Sequence, residues 1–186
     1  MNRHQPTEQP KGLLIVHTGN GKGKTSAALN LVYRHLAHGK RAAVVQFVKQ
    51  PKEYDYGDSM MLKRLATLGA PVAVTMLGTG FTWNRTDRAK SREVAGQAWE
   101  VAAAAIGDPQ IDLVVCDELH IALSYGQLDI EPVMRSILGR PASSHVATTG
   151  RGAPEPLIEA ADLVTEFVEV KHPYKTGVRA QVGIEY

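Results

Sequence analysis

The fold is decided by the stretch Leu13-Leu14-Ile15-Val16-His17-Thr18-Gly19-Asn20-Gly21-Lys22-Gly23-Lys24-Thr25-Ser26. Its first half is a β-branched, apolar run, which is typical of a strand covered on both faces. Three glycines then alternate with polar residues before helical spacing begins after Thr25. Glycines let the backbone curl so that successive N–H groups point inward, and the N-terminus of a helix adds partial positive charge. The stretch therefore predicts a strand, a phosphate-binding loop and a helix.

The loop predicts a nucleotide site with one peculiarity. Lys24 is expected to reach phosphate oxygens, and Thr25 is expected to reach both phosphate and Mg²⁺. The usual motif begins with a glycine where this sequence has Thr18, and Gly19 follows one residue later, so the loop is one residue short. A shortened loop can hold a triphosphate differently, so the reaction need not occur at the γ-phosphate. The alternative is a glycine-rich turn that binds nothing. The predicted nucleotide-binding residues of the loop are Gly19, Asn20, Gly21, Lys22, Gly23, Lys24, Thr25 and Ser26.

Outward from this loop, short apolar runs alternate with segments of helical period. This alternation predicts an α/β fold of the P-loop NTPase type, with three layers, a mainly parallel sheet and helices on both faces. Residues 1–11 are expected to be a flexible arm and residues 12–186 a single domain. The predicted strands are Leu13–His17, Ala43–Phe47, Val72–Met76, Leu113–Cys116, His145–Thr149 and Leu163–Val168. The predicted helices follow Thr25, cover Met60–Leu68, and run from Arg88 to Ile106 with Val94, Ala98, Val101 and Ala105 on one face.

The amino-acid composition limits the classes of protein to which this chain can belong. The chain has 186 residues, of which 44% are hydrophobic and 22% are charged, and its net charge is +2. These values are typical of a globular domain, and no basic block favours binding to nucleic acid. The apolar stretches are too short for a transmembrane helix, so no membrane partner is expected. The single cysteine, Cys116, cannot form a disulfide within the chain, which favours a cytoplasmic location.

A second motif places two carboxylates at a strand end. The apolar run Leu113–Cys116 is followed directly by Asp117 and Glu118. Mg²⁺ prefers oxygen ligands beside phosphates, so these residues and Thr25 are the predicted metal ligands. Glu118 is the first choice for direct contact, and Asp117 either contacts the ion or orients Thr25 or a water. With His120 the motif also has the form of a DExH box, but a helicase closes two such domains and this length predicts only one.

Several further pieces of sequence accompany these two motifs. None is specific by itself, but together they resemble one family, the P-loop type of ATP:corrinoid adenosyltransferases, over nearly the whole chain after Lys11. The pieces are Thr18–Ser26, His38-Gly39-Lys40 with Val45-Gln46-Phe47, Gly80-Phe81-Thr82-Trp83, Val115-Cys116-Asp117-Glu118-Leu119, Thr149-Gly150-Arg151-Gly152, and Lys171-His172-Pro173 with Gly183-Ile184-Glu185-Tyr186.

The resemblance implies transfer of the 5′-deoxyadenosyl group of ATP to the cobalt(I) of a corrinoid, with triphosphate as the other product. Such enzymes are understood to hold ATP in a reversed sense, which fits the short loop. The resemblance also implies Mg²⁺, or Mn²⁺ in its place, a reduced flavoprotein such as flavodoxin as electron donor, and a homodimer. Its place would be adenosylcobalamin biosynthesis or corrinoid salvage. The alternatives are a kinase or ATPase acting at the γ-phosphate and a nucleotide-dependent binding module.

Four residues outside the two motifs complete the predicted site. The resemblance assigns Phe81 and Trp83 to the corrin face, where aromatic side chains fill the place of the lower axial ligand and ease reduction of cobalt(II). Together with Lys24 they are the predicted catalytic residues, and the alternative is that both rings anchor their loop to the core. Arg151, between two glycines, is predicted to contact phosphate, and the alternative is a solvated arginine on a turn. Arg34 is either a nucleotide contact or a surface charge.

Overall fold

The computed structural model describes residues 11–49, 57–78 and 88–185. Within them a six-stranded sheet has the order β3-β2-β4-β5-β1-β6, and each neighbouring pair of strands is parallel. No helix in this described part is long and apolar enough to cross a membrane. The strands are β1 (Leu14–Thr18), β2 (Ala42–Gln46), β3 (Val72–Met76), β4 (Leu113–Asp117), β5 (His145–Thr149) and β6 (Leu163–Glu166).

Helices connect the strands as parallel crossovers require. They are α1 (Lys24–Ala37), α2 (Gly57–Thr67), α3 (Arg88–Gly107), α4 (Leu119–Ser124), α5 (Ile130–Leu138) and α6 (Glu155–Ala160), and a 3₁₀ turn (Pro173–Thr176) follows β6.

The sheet separates two apolar cores because its side chains alternate between faces. Along β2, Val45 packs in one core and Val44 in the other. Helix α3 covers the first core with Ala98 and Ala102. Helix α1 covers the second with residues that include Val32. The predicted three-layer α/β fold, with helices on both faces of a parallel sheet, is therefore confirmed.

Two details of the prediction were wrong. Helix α3 turns Ala95, Ala98 and Ala102 toward the sheet, whereas Val101, which was predicted to share one face with Ala98, is 39% exposed. Both faces have helical spacing and share Ala98, but alanines let the helix approach the sheet more closely than valines would. The second error concerns β6, which ends at Glu166 instead of continuing to Val168. The short helices α4, α5 and α6 were not predicted.

The parallel arrangement brings the carboxyl ends of all six strands to one edge of the sheet. In the register of the ladders, Gln46 of β2 pairs with Asp117 of β4, and His17 of β1 pairs with Thr149 of β5. In open parallel sheets, ligands bind at this edge. The phosphate-binding loop and the two predicted metal-binding carboxylates therefore lie together here.

Candidate active site

Lys24 is the first residue of α1, and its side chain turns back into the loop between β1 and α1. Its Nζ atom donates hydrogen bonds to the carbonyl oxygens of Gly19, at 2.8 Å, and Gly21, at 2.7 Å. The side chain is almost fully enclosed, and this burial lowers the pKa of Lys24, although Glu118 opposes the effect. The loop therefore fixes the ammonium group through two carbonyl oxygens, at the position where the sequence predicts a bound phosphate.

Packing within the protein itself requires two of the loop glycines. The Gly21 N–H donates to the Phe167 carbonyl oxygen at 2.6 Å, and the Phe167 N–H donates to that of Thr18 at 2.8 Å. A Cβ atom at Gly19 would lie 2.4 Å from the Phe167 oxygen, and one at Gly21 would lie 2.7 Å from the Val168 oxygen. The chain after β6 thus packs directly against the loop, and it uses one amide that the sequence analysis assigned to phosphate.

Asp117, at the end of β4, is completely buried and accepts four hydrogen bonds. Its Oδ1 atom accepts from the hydroxyl groups of Thr25 and Thr149, both at 2.8 Å. Its Oδ2 atom accepts from Gln46 Nε2 at 3.0 Å and from Lys49 Nζ at 2.9 Å. Burial alone would raise the pKa of Asp117, but the Lys49 ammonium and the hydroxyl donors hold it below its usual value. Asp117 is therefore an ionised carboxylate that fixes Thr25.

Glu118 differs from its neighbour in almost every respect. It has a φ angle of 62°, which makes it the only residue other than glycine in the described chain with a positive φ. Its N–H donates to Thr149 Oγ1 at 2.9 Å, but its carboxylate accepts no hydrogen bond from the described residues. Burial and the Asp117 charge raise the pKa of Glu118, while Lys49, Lys24 and Arg151 act against them. A carboxylate that accepts no hydrogen bond from the described residues, on a backbone with a strained φ, suits a cation.

The described residues include no cluster of three or more acidic, histidine or cysteine side chains that could hold a metal by themselves. Thr25 and Glu118 could supply only part of an octahedral set of oxygens. Mg²⁺ commonly binds through one or two protein ligands plus substrate phosphates and waters. The donors present therefore fit a cation that arrives with a triphosphate.

The structure brings most, but not all, of the predicted residues together. Asn20 of the loop and Ser26 of the first turn of α1 are exposed, and Lys22 forms an ion pair with Glu185 at 3.2 Å. Arg151 is exposed just after β5, close enough for its charge to lower the pKa values of Lys24 and Glu118.

One predicted site residue, Arg34, does not lie at this edge of the sheet. Arg34 is exposed near the far end of α1, about 15 Å of helix beyond Lys24. Phe81 and Trp83 lie outside the described residues.

Comparison with known proteins identifies the family. Residues 10–186 match the sequence profile described as ATP:corrinoid adenosyltransferase BtuR/CobO/CobP. The chain belongs to this family.

Relatives named corrinoid adenosyltransferase agree with the profile. One from Pseudomonas aeruginosa is 46% identical over 95% of this chain and 84% of its own length. One from Sinorhizobium sp. is 43% identical over 95% of this chain and 81% of its own. One from Escherichia coli K12 is 36% identical over 96% and 88%.

In this member of the adenosyltransferase family, several residues that support the site were not predicted from the sequence. Gln46 and Thr149 end strands that flank β4, and Lys49 follows β2 by a few residues. The signal that could have found them is the polar residue at the carboxyl end of each buried strand. Ser59 of α2, which donates to Gln46 Oε1 at 2.5 Å, and Phe167 carry no comparable signal.

Proposed function

We propose that this protein transfers the 5′-deoxyadenosyl group of ATP to the cobalt(I) centre of a corrinoid. The observation that carries the proposal is membership of the adenosyltransferase family over residues 10–186. The enclosed Lys24 ammonium, set in a loop beside two carboxylates, supports it, because this arrangement suits a bound triphosphate.

The transfer requires no general base, because no proton is removed from the nucleophile. Cobalt(I) donates an electron pair to C5′ of ATP, a cobalt–carbon bond forms, and the C5′–O bond breaks. Its electron pair leaves on the inorganic triphosphate. Lys24 would stabilise the negative charge that grows on this leaving group, and the enclosed loop would hold the triphosphate in line with the attacking cobalt.

We further propose that the metal ion is Mg²⁺, with Mn²⁺ able to replace it. When bound, the ion would neutralise charge on the triphosphate. Glu118 and Thr25 would contact the ion. Asp117 would act through Thr25, because its two oxygens already accept four hydrogen bonds and a metal would have to displace donors from it.

The nucleotide contacts are assigned to the loop and to Arg151. Residues Gly19 to Ser26 would surround the triphosphate, and the Arg151 guanidinium would reach it from the end of β5. The exposed position of Arg34 near the C-terminal end of α1 favours its interpretation as a surface charge.

Phe81 and Trp83 are proposed to cover the corrin face. Their role is tested by Trp83→Ala, which we expect to spare ATP binding and transfer to chemically reduced cobalt(I), but to slow transfer when cobalt(II) must first be reduced. The control is the same variant assayed for ATP affinity by calorimetry. Equal losses of ATP affinity and of both activities would contradict the assignment.

The remaining partners are proposals that rest on the family alone. A reduced flavoprotein such as flavodoxin would supply the electron, and two copies would form a dimer. A reducing compartment such as the cytoplasm would suit both the cobalt chemistry and the single, buried Cys116.

One assay tests the proposed reaction. Mg-ATP and a reduced corrinoid are supplied, and the phosphate product is identified. We expect stoichiometric triphosphate and an alkylated corrinoid, with most activity lost in Lys24→Ala. ADP with a phosphorylated acceptor would instead indicate a kinase, and ADP with phosphate would indicate an ATPase.

A further inference from the structure

Hydrogen bonds hold both ends of the loop that carries Arg151. At its start, the His120 ring lies with Nδ1 3.0 Å from the Gly150 carbonyl oxygen and Nε2 2.9 Å from Thr148 Oγ1. At its end, the Ala153 N–H donates to Thr18 Oγ1 at 3.1 Å. Since the strand that carries Thr18 leads into the phosphate-binding loop, this contact joins the two loops directly.

The hydrogen bonds define the form of the His120 ring. A carbonyl oxygen can only accept, so Nδ1 carries the proton and donates to Gly150. Nε2 is then the acceptor for the Thr148 hydroxyl. His120 is 0% exposed, so it cannot itself reach a nucleotide in this arrangement. Any effect that it has on the reaction must pass through the residues it holds.

The backbone conformation of Gly150 and its lack of a side chain allow this contact. Its φ angle is 140°, and a Cβ atom there would lie 2.7 Å from the Cβ atom of His120. The backbone at Gly150 therefore passes closely over the histidine, and the next residue, Arg151, leaves the sheet in a fixed direction. Gly152, with a φ of 63°, then returns the chain toward Ala153.

We propose that His120 is a positioning residue for Arg151 and that it acts through the Gly150 carbonyl group. The inference rests on the proposed function in one respect, the contact of Arg151 with the triphosphate. An exposed arginine loses side-chain and loop freedom when it binds an anion. A loop fastened on both sides has already lost part of that freedom, so the guanidinium binds phosphate more tightly.

The test is a double-mutant cycle on the affinity for inorganic triphosphate with Mg²⁺, measured by calorimetry on the full chain. His120→Leu removes both hydrogen bonds at similar volume, and we expect it to weaken binding roughly tenfold, as loss of a buried hydrogen bond implies. Arg151→Ala is expected to weaken binding by a similar or larger factor. In the Arg151→Ala background, His120→Leu should change the affinity by less than about twofold, because coupled sites are not additive.

A conservative variant separates positioning from folding. The amide of His120→Asn can still donate to Gly150, so it should recover most of the affinity lost in His120→Leu, and it remains informative if His120→Leu does not fold. Multiplicative losses in the cycle, or an Arg151→Ala variant with unchanged affinity, would overturn the inference. Because this readout is binding, it is independent of the product assay: triphosphate release by the wild type tests the proposed function separately.

Discussion

Glu118 is a residue whose conformation and charge both lower stability. Its left-handed backbone costs about 1 kcal/mol relative to glycine. Its half-buried carboxylate, without a described donor and next to the Asp117 charge, is held at a raised pKa. Both features occur at the position that we assign to the cation. A bound cation would offset the unfavourable free energy of the negative charge there.

We therefore expect Glu118→Gly to raise the free energy of unfolding by about 1 kcal/mol while most adenosyl transfer is lost. Urea unfolding and the triphosphate assay measure the two effects. The matched control, Glu118→Gln, keeps the positive φ and should lose activity with a smaller gain in stability. A destabilised but active Glu118→Gly protein would argue against the assignment.

Asp117 has the opposite character, because every donor around it stabilises its charge. Asp117→Asn would leave the Lys49 ammonium, only 12% exposed, against an amide. We expect the free energy of unfolding to fall by about 3 kcal/mol, as for other broken buried ion pairs. Urea unfolding measures the loss.

An exposed pair provides the control for this prediction. Asp129 lies 3.9 Å from Arg92 with its side chain 82% exposed, so Asp129→Asn should change stability by less than about 0.5 kcal/mol. Similar losses in the two variants would show that the Asp117 network contributes no more than a surface contact.

At the scale of elements, the phosphate-binding loop depends on the segment that follows β6. Gly21 has no unusual backbone angle, so Gly21→Ala tests only the close approach of Phe167 and Val168. The methyl group must displace that backbone, and we expect a loss of about 1–3 kcal/mol. Amide exchange should also become faster at Gly21, whose N–H donates to Phe167.

A helical glycine provides the matched control. Gly96, within α3, has open space where a Cβ would stand, so Gly96→Ala should increase stability by about 1 kcal/mol. If both alanines stabilised the protein, the packing of Phe167 against the loop could not be the reason for a glycine at position 21.

At the scale of the molecule, several buried groups make stability depend on pH in the same direction. Burial lowers the pKa values of His17 and His145, and it lowers that of His120 to about 4. The unfolded chain therefore binds more protons than the native state as the pH falls below about 6.5. Glu118, whose pKa is raised, acts in the opposite sense but is a single group.

We expect the free energy of unfolding to decrease between pH 6.5 and about 4.5, measured by urea titration at several pH values. His145 supplies the control variant, because its Nδ1 accepts from the Leu13 N–H at 3.1 Å and an asparagine oxygen can take that place. His145→Asn should show a shallower decrease. An equally steep decrease in this variant would exclude His145 as a contributor.

The same unfolding experiments also test the domain organisation. Coincident transitions by fluorescence and circular dichroism would support the proposal that residues 12–186 form one domain.

The sequence predicted the parts of this molecule whose signals are local. The alternation of strands and helices predicted the three-layer fold, and Val72–Met76 and His145–Thr149 were predicted to the residue. The loop and the pair Asp117 and Glu118 were recognisable because each forms a motif of adjacent residues. Lys49, His120 and Phe167 were not, since each acts through a neighbour distant in sequence, and no local pattern encodes which strands will be adjacent.

The position of β1 within the sheet also limits the order in which parts of the protein can fold during synthesis on the ribosome. β1 lies between β5 and β6, and its Ile15 pairs with Ala147 and Leu163. The segment that supports the phosphate-binding loop, at Phe167, is made later still. The loop therefore precedes all of these segments in the chain and can acquire its final shape only after they have been synthesised. A nascent chain stalled before residue 163 would contain the complete motif, but its phosphate-binding loop would lack the contacts that shape it.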